Sequence, residues 1–185
     1  MADPLTDAFG SHYHDVYRYI RSRVGDDAAE DIAQDTFLTV ARSATLRQAL
    51  PDAARPVLFG VATRLIRGFW RAESRRHDAI ERVAHRDHRP DTSEADDADG
   101  RLDAMALGPH ISRALTGLSE GEREVVLLFA LAELGHREIA SALRISTVAA
   151  RVRLMRGRRK LRALLSSDAM QQHANQGQRL IEGRS

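Results

Sequence analysis

The chain has 185 residues, 43% of them hydrophobic, with no Cys. That allows one medium domain or two small ones and excludes disulfides and thiolate metal sites. Aromatics make up only 5%, so the cores must be aliphatic. No apolar run approaches the ~20 residues of a membrane span, so no membrane insertion is expected. The acidic opening MADPLTDAFG lacks the basic and apolar regions of a secretory signal, and the reading is of a cytoplasmic protein. Net charge is +2, unevenly spread. Residues 1–85 carry 12 bases and 12 acids, 86–104 carry 3 and 7, and 105–165 carry 11 and 5.

The first predicted helix covers 5–24, where Phe9, Tyr13, Val16, Tyr17 and Ile20 recur at helical spacing. Gly25 ends it, and Asp26 and Asp27 can cap the next. The second helix, DDAAEDIAQDTFLTVARSA, puts Ile32, Ala33, Phe37 and Val40 on one face and Glu30, Asp31, Gln34 and Asp35 on the other. Pro51 and Pro56 bracket a break. A third long helix follows and runs to about residue 84. Leu58, Val61, Ala62, Leu65, Ile66 and Phe69 face inward; Arg64, Arg67, Arg71, Arg75 and Arg76 face out. HRDHRPDTSEADDADGR has no periodicity and cannot bury apolar area, so it reads as a flexible acidic linker.

Four further helix-length pieces follow, at about 103–116, 119–132, 136–143 and 147–165. Ser119 and Glu122 form an S-x-x-E capping box. The fold class is all-α: two small helical domains, 1–85 and 105–167, joined by the acidic linker 86–104. A polar tail, 168–185, is expected to be disordered and ends in IEGRS, the pattern of a protease-site linker.

HREIASALRISTVAARVRLM has the form of a helix-turn-helix. Ala140 supplies the small residue where two helices cross, Ile139 and Leu143 face the core, and Ile145 plugs the turn. Ser146 or Thr147 can cap the second helix, whose free N–H groups favour a phosphate. Arg144 stands at the turn position that often holds Gly, at a cost of about 1 kcal/mol if left-handed. From Arg151 to Arg162 there are seven bases and no acid. A solvated helix usually mixes signs, because like-charged neighbours repel; phosphates would neutralise this one. If about five of the seven bases met phosphates, log affinity would fall with log salt at a slope of about −4 to −5.

The third helix joins its arginines to Phe69 and Trp70. That suits a surface that tracks single-stranded backbone and stacks bases. It equally suits a sealed domain edge whose arginines pair with Glu73, Asp78 or Glu81. The acidic face of the second helix is either simply solvated or a docking surface for a basic protein. An enzyme would have to rely on histidine, but His12 and His14 lie on different helical faces, and His77, His85 and His88 flank the acidic linker. No metal, cofactor or catalytic residue is expected. A free-standing helix-turn-helix regulator, with a ligand-sensing or dimerising first domain, is the alternative to the reading below.

In order, these pieces resemble an extracytoplasmic-function sigma factor of the sigma-70 family. GDDAAEDIAQDTFLTVAR resembles region 2.2, VLFGVATRLIRGFWRAESRR regions 2.3–2.4, and LTGLSEGEREVVLLFALAELGHREIASALRISTVAARVRLMRGRRKLR region 4. The resemblance implies a sigma factor with no enzymatic activity, which binds core RNA polymerase and promoter DNA and is held inactive by an anti-sigma factor. By motif position, Asp31, Gln34, Asp35 and Leu38 would bind core polymerase. Arg64, Arg67, Trp70, Arg71 and Arg75 would meet the minus-10 element. Arg137, Ser146, Thr147, Ala149, Arg151, Val152, Met155 and Arg156 would meet the minus-35 element, with Arg153 and Arg158 as backbone contacts or salt-bridge formers. Three places depart from the family pattern. Its Trp is Val57, its Asn is Arg64, and its Gly-Thr-Val is Val148-Ala149-Ala150. Without the Thr hydroxyl, base reading would lean on apolar contact from Ala149 or Val152 to thymine methyls.

Overall fold

The computed structural model describes the backbone of residues 3–84 and 109–182, and side chains over 3–79 and 111–166. The expected linker at 86–104 lies outside the described residues. Every regular element among them is a helix: α1 (Pro4–Val24), α2 (Asp26–Arg42), α3 (Ala44–Ala84), α4 (Pro109–Thr116), α5 (Glu120–Ala130), α6 (His136–Leu143) and α7 (Thr147–Glu182).

In the first half, α1, α2 and α3 pack against one another. Asp3 caps α1 by accepting from the Leu5 N–H at 3.5 Å, and Pro4 follows where its missing N–H costs nothing. The buried face of α1 includes Val16, Tyr19, Ile20 and Arg23. Tyr19 lies edge-on to Phe59 with ring centroids 5.3 Å apart. Both rings are fully buried, so the core is more aromatic than the composition suggests. Asp26 begins α2 without capping it by its side chain; instead it pairs with Arg21 of α1. α3 is broken at Ala53 (φ −146°, ψ 37°), between Pro51 and Pro56. Proline clashes with the turn before it, so the break falls inside the bracket those two residues set.

In the second half, the Ser119 N–H donates to Glu122 at 3.2 Å, the reciprocal arm of the capping box. Arg123 is buried and donates to the carbonyls of Leu115 (2.9 Å) and Leu118 (3.2 Å), which fixes the turn from α4 into α5. α6 ends at Arg144, which is left-handed (φ 54°, ψ 46°), and the Ile145 N–H reaches back to the Ala140 carbonyl at 3.0 Å.

α7 lays Ala150, Leu154 and Gly157 into the core, with Leu161 partly buried. The spacing of 4, 3 and 4 is one helical face. Gly157 permits the close approach of α5, since a Cβ there would stand 2.7 Å from Val126 Cγ2. α7 runs on to Glu182, beyond residue 165 where the apolar spacing stops. This corrects the expectation of a disordered polar tail: Ala, Met and Gln are good helix formers, and extending a helix that already exists avoids the nucleation cost.

Lys160 of α7 donates to Glu122 of α5 at 2.7 Å. That bond, helped by the Ser119 N–H and opposed by burial, holds the Glu122 carboxyl below its ordinary value of about 4.5. A carboxyl lowered in the folded state adds stability above its unfolded pKa and loses it as pH falls through the folded one. The Glu122→Gln variant should therefore be less stable than the parent at neutral pH, and the gap should close well below pH 4.5, as measured by urea denaturation at both. Gly157→Ala should lower stability by about 1–3 kcal/mol through overpacking against Val126, seen as a lower midpoint in the same experiment.

Candidate nucleic-acid and partner interfaces

The α6–α7 pair makes the turn that its sequence predicts. Ser146 is the cap: its hydroxyl oxygen accepts from the Ala149 N–H at 3.0 Å, and Thr147 is the first helical residue. With Ala150, Leu154 and Gly157 turned inward, the rest of α7 is presented outward. Arg151, Met155 and Arg156 are exposed, and Thr147, Ala149 and Val152 are half-buried beside them. Ser146 and Arg137 are exposed on the approach to this face. Val148, at 68%, and Met155, at 61%, are among the most exposed large apolar residues described, and nothing in the helix's own packing accounts for them.

The seven bases of α7 do not all point the same way. Lys160 turns to Glu122, and the Arg153 guanidinium lies over the first turn of α5, where a Cβ at Gly121 would be 3.0 Å from it. Arg158 sits over the Phe129 ring, 5.3 Å from its centroid, and stays exposed. Arg151, Arg156, Arg159 and Arg162 are exposed with it. Five guanidinium groups on one rod, with no acid between them, form a surface to which an anion of regularly spaced charge is the natural complement.

The α2 face has the opposite chemistry. Asp31, Gln34, Asp35 and Leu38 are all exposed, at spacings of 3 and 4 that bring them onto one side. Glu30 beside them accepts from Tyr13 at 2.9 Å and Gln34 at 3.1 Å, and these two bonds hold its carboxyl below the usual range. Leu38 (46% exposed) and Phe9 (48%) add two apolar residues; Phe9 is propped on Phe37 with centroids 5.0 Å apart. An acidic rim around exposed apolar groups is the composition of a protein-docking surface, not of a nucleic-acid one.

The outer face of α3 is divided. Arg64, Arg71 and Arg75 are exposed. Arg67 instead turns to α5, with its Nε 2.9 Å from Glu120 and 3.4 Å from Glu124. Trp70 is half-buried, edge-on to Phe69 at 5.2 Å, and borders a cleft of about 220 Å³ shared with Arg23, Arg67 and Glu124. Further along the helix, Arg76 pairs with Glu73 at 2.9 Å. Of the expected pairings with Glu73, Asp78 or Glu81, the Arg76–Glu73 bridge is present, whereas Arg67 pairs across to α5, and Arg64, Arg71 and Arg75 stay exposed.

Two groups that sequence reasoning missed lie between the halves. Arg23 of α1 and Glu124 of α5 form a two-bond ion pair, at 3.1 and 2.9 Å, with side chains only 4% and 2% exposed. Arg23 also donates to the Tyr19 hydroxyl at 2.7 Å, and that oxygen is 2.8 Å from Thr63 Oγ1. Burial works against the Arg23 charge, but the Tyr19 phenol and the Glu124 carboxylate outweigh it and hold the guanidinium firmly protonated. The signal was available: a base in the apolar stripe of α1, and an acid directly before the run Val125 to Leu128.

No helix among the described residues is long and apolar enough to cross a membrane. The sigma-70 region 2 family model matches residues 8–76, and the sigma-70 region 4 model matches residues 110–161. The RNA polymerase sigma factor CarQ of Myxococcus xanthus is 33% identical over 168 residues, covering 88% of this chain and 90% of that protein. Among solved structures, CnrH in complex with the cytosolic domain of CnrY aligns with a TM-score of 0.57 at 25% identity, over 89% of this chain and 88% of that one. The sigma factor RpoE, crystallised with the anti-sigma factor NepR from Bartonella quintana, shares the fold with a TM-score of 0.57 at 18% identity, over 90% and 99%. With region 2 in its first half and region 4 in its second, the chain belongs to the sigma-70 family, as an extracytoplasmic-function sigma factor.

Proposed function

We infer that this chain, a sigma factor that directs promoter recognition by RNA polymerase, divides its work among three faces. Asp31, Gln34, Asp35 and Leu38 on α2 dock on the core enzyme. The open part of α3, with Arg64, Arg71 and Arg75, meets the minus-10 element, together with Trp70 and with Arg67 once it is released from its ion pairs with α5. α7 enters the major groove of the minus-35 element with Arg151, Val152, Met155 and Arg156. Ser146, Thr147, Ala149 and Arg137 approach from the turn side.

The observation that carries this reading is the pairing of two exposed surfaces of opposite chemistry on one chain: an acidic and apolar α2, and an acid-free arginine face on α7. One suits a protein and the other a polyanion, which is what bridging polymerase to promoter requires. Base reading by Val152 and Met155 is largely apolar, directed at thymine methyls, while the arginines set register on phosphates. The protein works in the cytoplasm, catalyses nothing itself, and is a target for an anti-sigma factor, as CnrH and RpoE are bound by their partners in the solved complexes.

Run-off transcription with core polymerase on genomic fragments tests the whole. Promoter-dependent transcripts are expected, and their absence with active core would favour the free-standing regulator. Beside that assay, Arg151→Ala and Arg156→Ala should each weaken promoter binding, reduce its salt slope by about 1 and leave core binding unchanged. Asp35→Ala should weaken core binding and spare duplex contact. Identical behaviour of all three would refute the division of labour.

A further inference from the structure

A row of exposed apolar side chains rimmed by charge marks a contact surface, where scattered ones do not. On α7, Val148 is 68% exposed and Met155 61%, and Val152 lies half-buried between them. The three follow one another at spacings of 4 and 3. The buried stripe Ala150, Leu154 and Gly157 repeats that spacing two residues further on. Two residues turn an α-helix by about 200°, so the row stands on the side of α7 opposite the core. Folding gives no reason for it. Valine is a weaker helix former than alanine or the charged residues. Val148 also occupies the first turn of α7, where an acidic residue would complement the free N–H groups. Arg151 and Arg156 flank the row at about 70° to either side, and Arg159 continues it by one more turn; all three are exposed.

An apolar ridge between two flanks of guanidinium groups has a natural complement. The floor of the DNA major groove carries one apolar group, the C5 methyl of thymine, and its walls are phosphate. A protein groove could match the ridge, but it would have to supply carboxylates on both rims where DNA has phosphates by construction. From Val148 to Met155 the ridge covers about 10.5 Å of helix axis, against about 3.4 Å for each base-pair step, so it reaches over about three steps. We propose that Val148, a position outside the set implied by motif resemblance, is a specificity residue of this protein. Together with Val152 and Met155 it selects thymine by its C5 methyl, while Arg151 and Arg156 hold the phosphate walls. The proposal deepens the sigma-factor reading and rests on it for the promoter concerned. It implies a minus-35 element in which thymine methyls line the groove over about four base pairs. The arginines then set position and the apolar ridge sets sequence.

Two duplexes that differ by the methyl alone provide the test. One alternates deoxyadenosine and thymidine; the other carries deoxyuridine in place of every thymidine. The full chain, whose α7 face is open, is titrated with each at one fixed salt concentration and followed by fluorescence anisotropy. It should bind the thymine duplex about fourfold more tightly for each methyl engaged, the worth of one buried carbon, and so up to about sixtyfold for three. Val148→Ala should bring that ratio down by about fourfold. The substitution lies at an exposed position and improves helix propensity, so the protein stays folded. Arg151→Ala should weaken binding to both duplexes and leave their ratio as it is. Equal affinity of the parent for the two duplexes, or the same thymine preference in Val148→Ala as in the parent, would overturn the proposal. Run-off transcription with core polymerase keeps the two ideas apart. Transcripts without a thymine preference remove the reading ridge and leave the sigma factor. A thymine preference that Val148→Ala diminishes, without transcripts, leaves the ridge and removes the promoter-directing function.

Discussion

The seating of α7 on α5 is the constraint from which the outer surface follows. Ala150, Leu154 and Gly157 place the helix axis so near α5 that Val126 fills the space a side chain at 157 would need. Once that stripe is fixed, the 3.6-residue period leaves no choice about the rest: Arg151, Met155 and Arg156 must face water. Lys160 and Glu122 lock the rotation, and the carboxyl they share with the Ser119 N–H ties the start of α5 to the same contact. Repulsion among the arginines is carried by packing on the opposite side of the helix. A surface that would be unfavourable in an isolated helix is thereby held in place.

A second constraint joins the halves. Arg23 offers its guanidinium to Glu124 and Tyr19, while its Nε is left without a partner. Such a site is not an efficient way to gain stability, since desolvating both ions consumes most of their attraction. Its value is directional. Only one placement of α5 against α1 satisfies both carboxylate oxygens, so the pair sets the register in which α6 meets α3. The close approach of Gly60 of α3 to the Ala142 carbonyl of α6 then follows from register as well as from the absence of a side chain.

Much of this was legible in the residues. The helices of the first half, the break between Pro51 and Pro56, the capping residue Ser119 and the left-handed Arg144 all answer to local rules of spacing, capping and backbone sterics. The exposed faces of α2 and α7 were legible for the same reason, because one period fixes both the inside and the outside of a helix. What escaped was non-local. Arg23 and Glu124 are 101 residues apart, and no periodicity says that a base in one apolar stripe awaits an acid in another. Tyr19 and Phe59 escaped because the composition argued for an aliphatic core, whereas one well-placed ring pair fills much of a three-helix centre. The inward turn of Arg67 follows from Glu120 and Glu124, which only the packing of the halves brings near.

The bridging role is tested most directly by photo-crosslinking within the assembled polymerase–promoter complex, with a short-range photoreactive residue placed in turn at Leu38 and at Met155. If α2 holds the enzyme and α7 reads the duplex, the probe at 38 labels a polymerase subunit and the one at 155 labels upstream promoter DNA. Labelling of polymerase from 155, or of DNA from 38, would contradict the account.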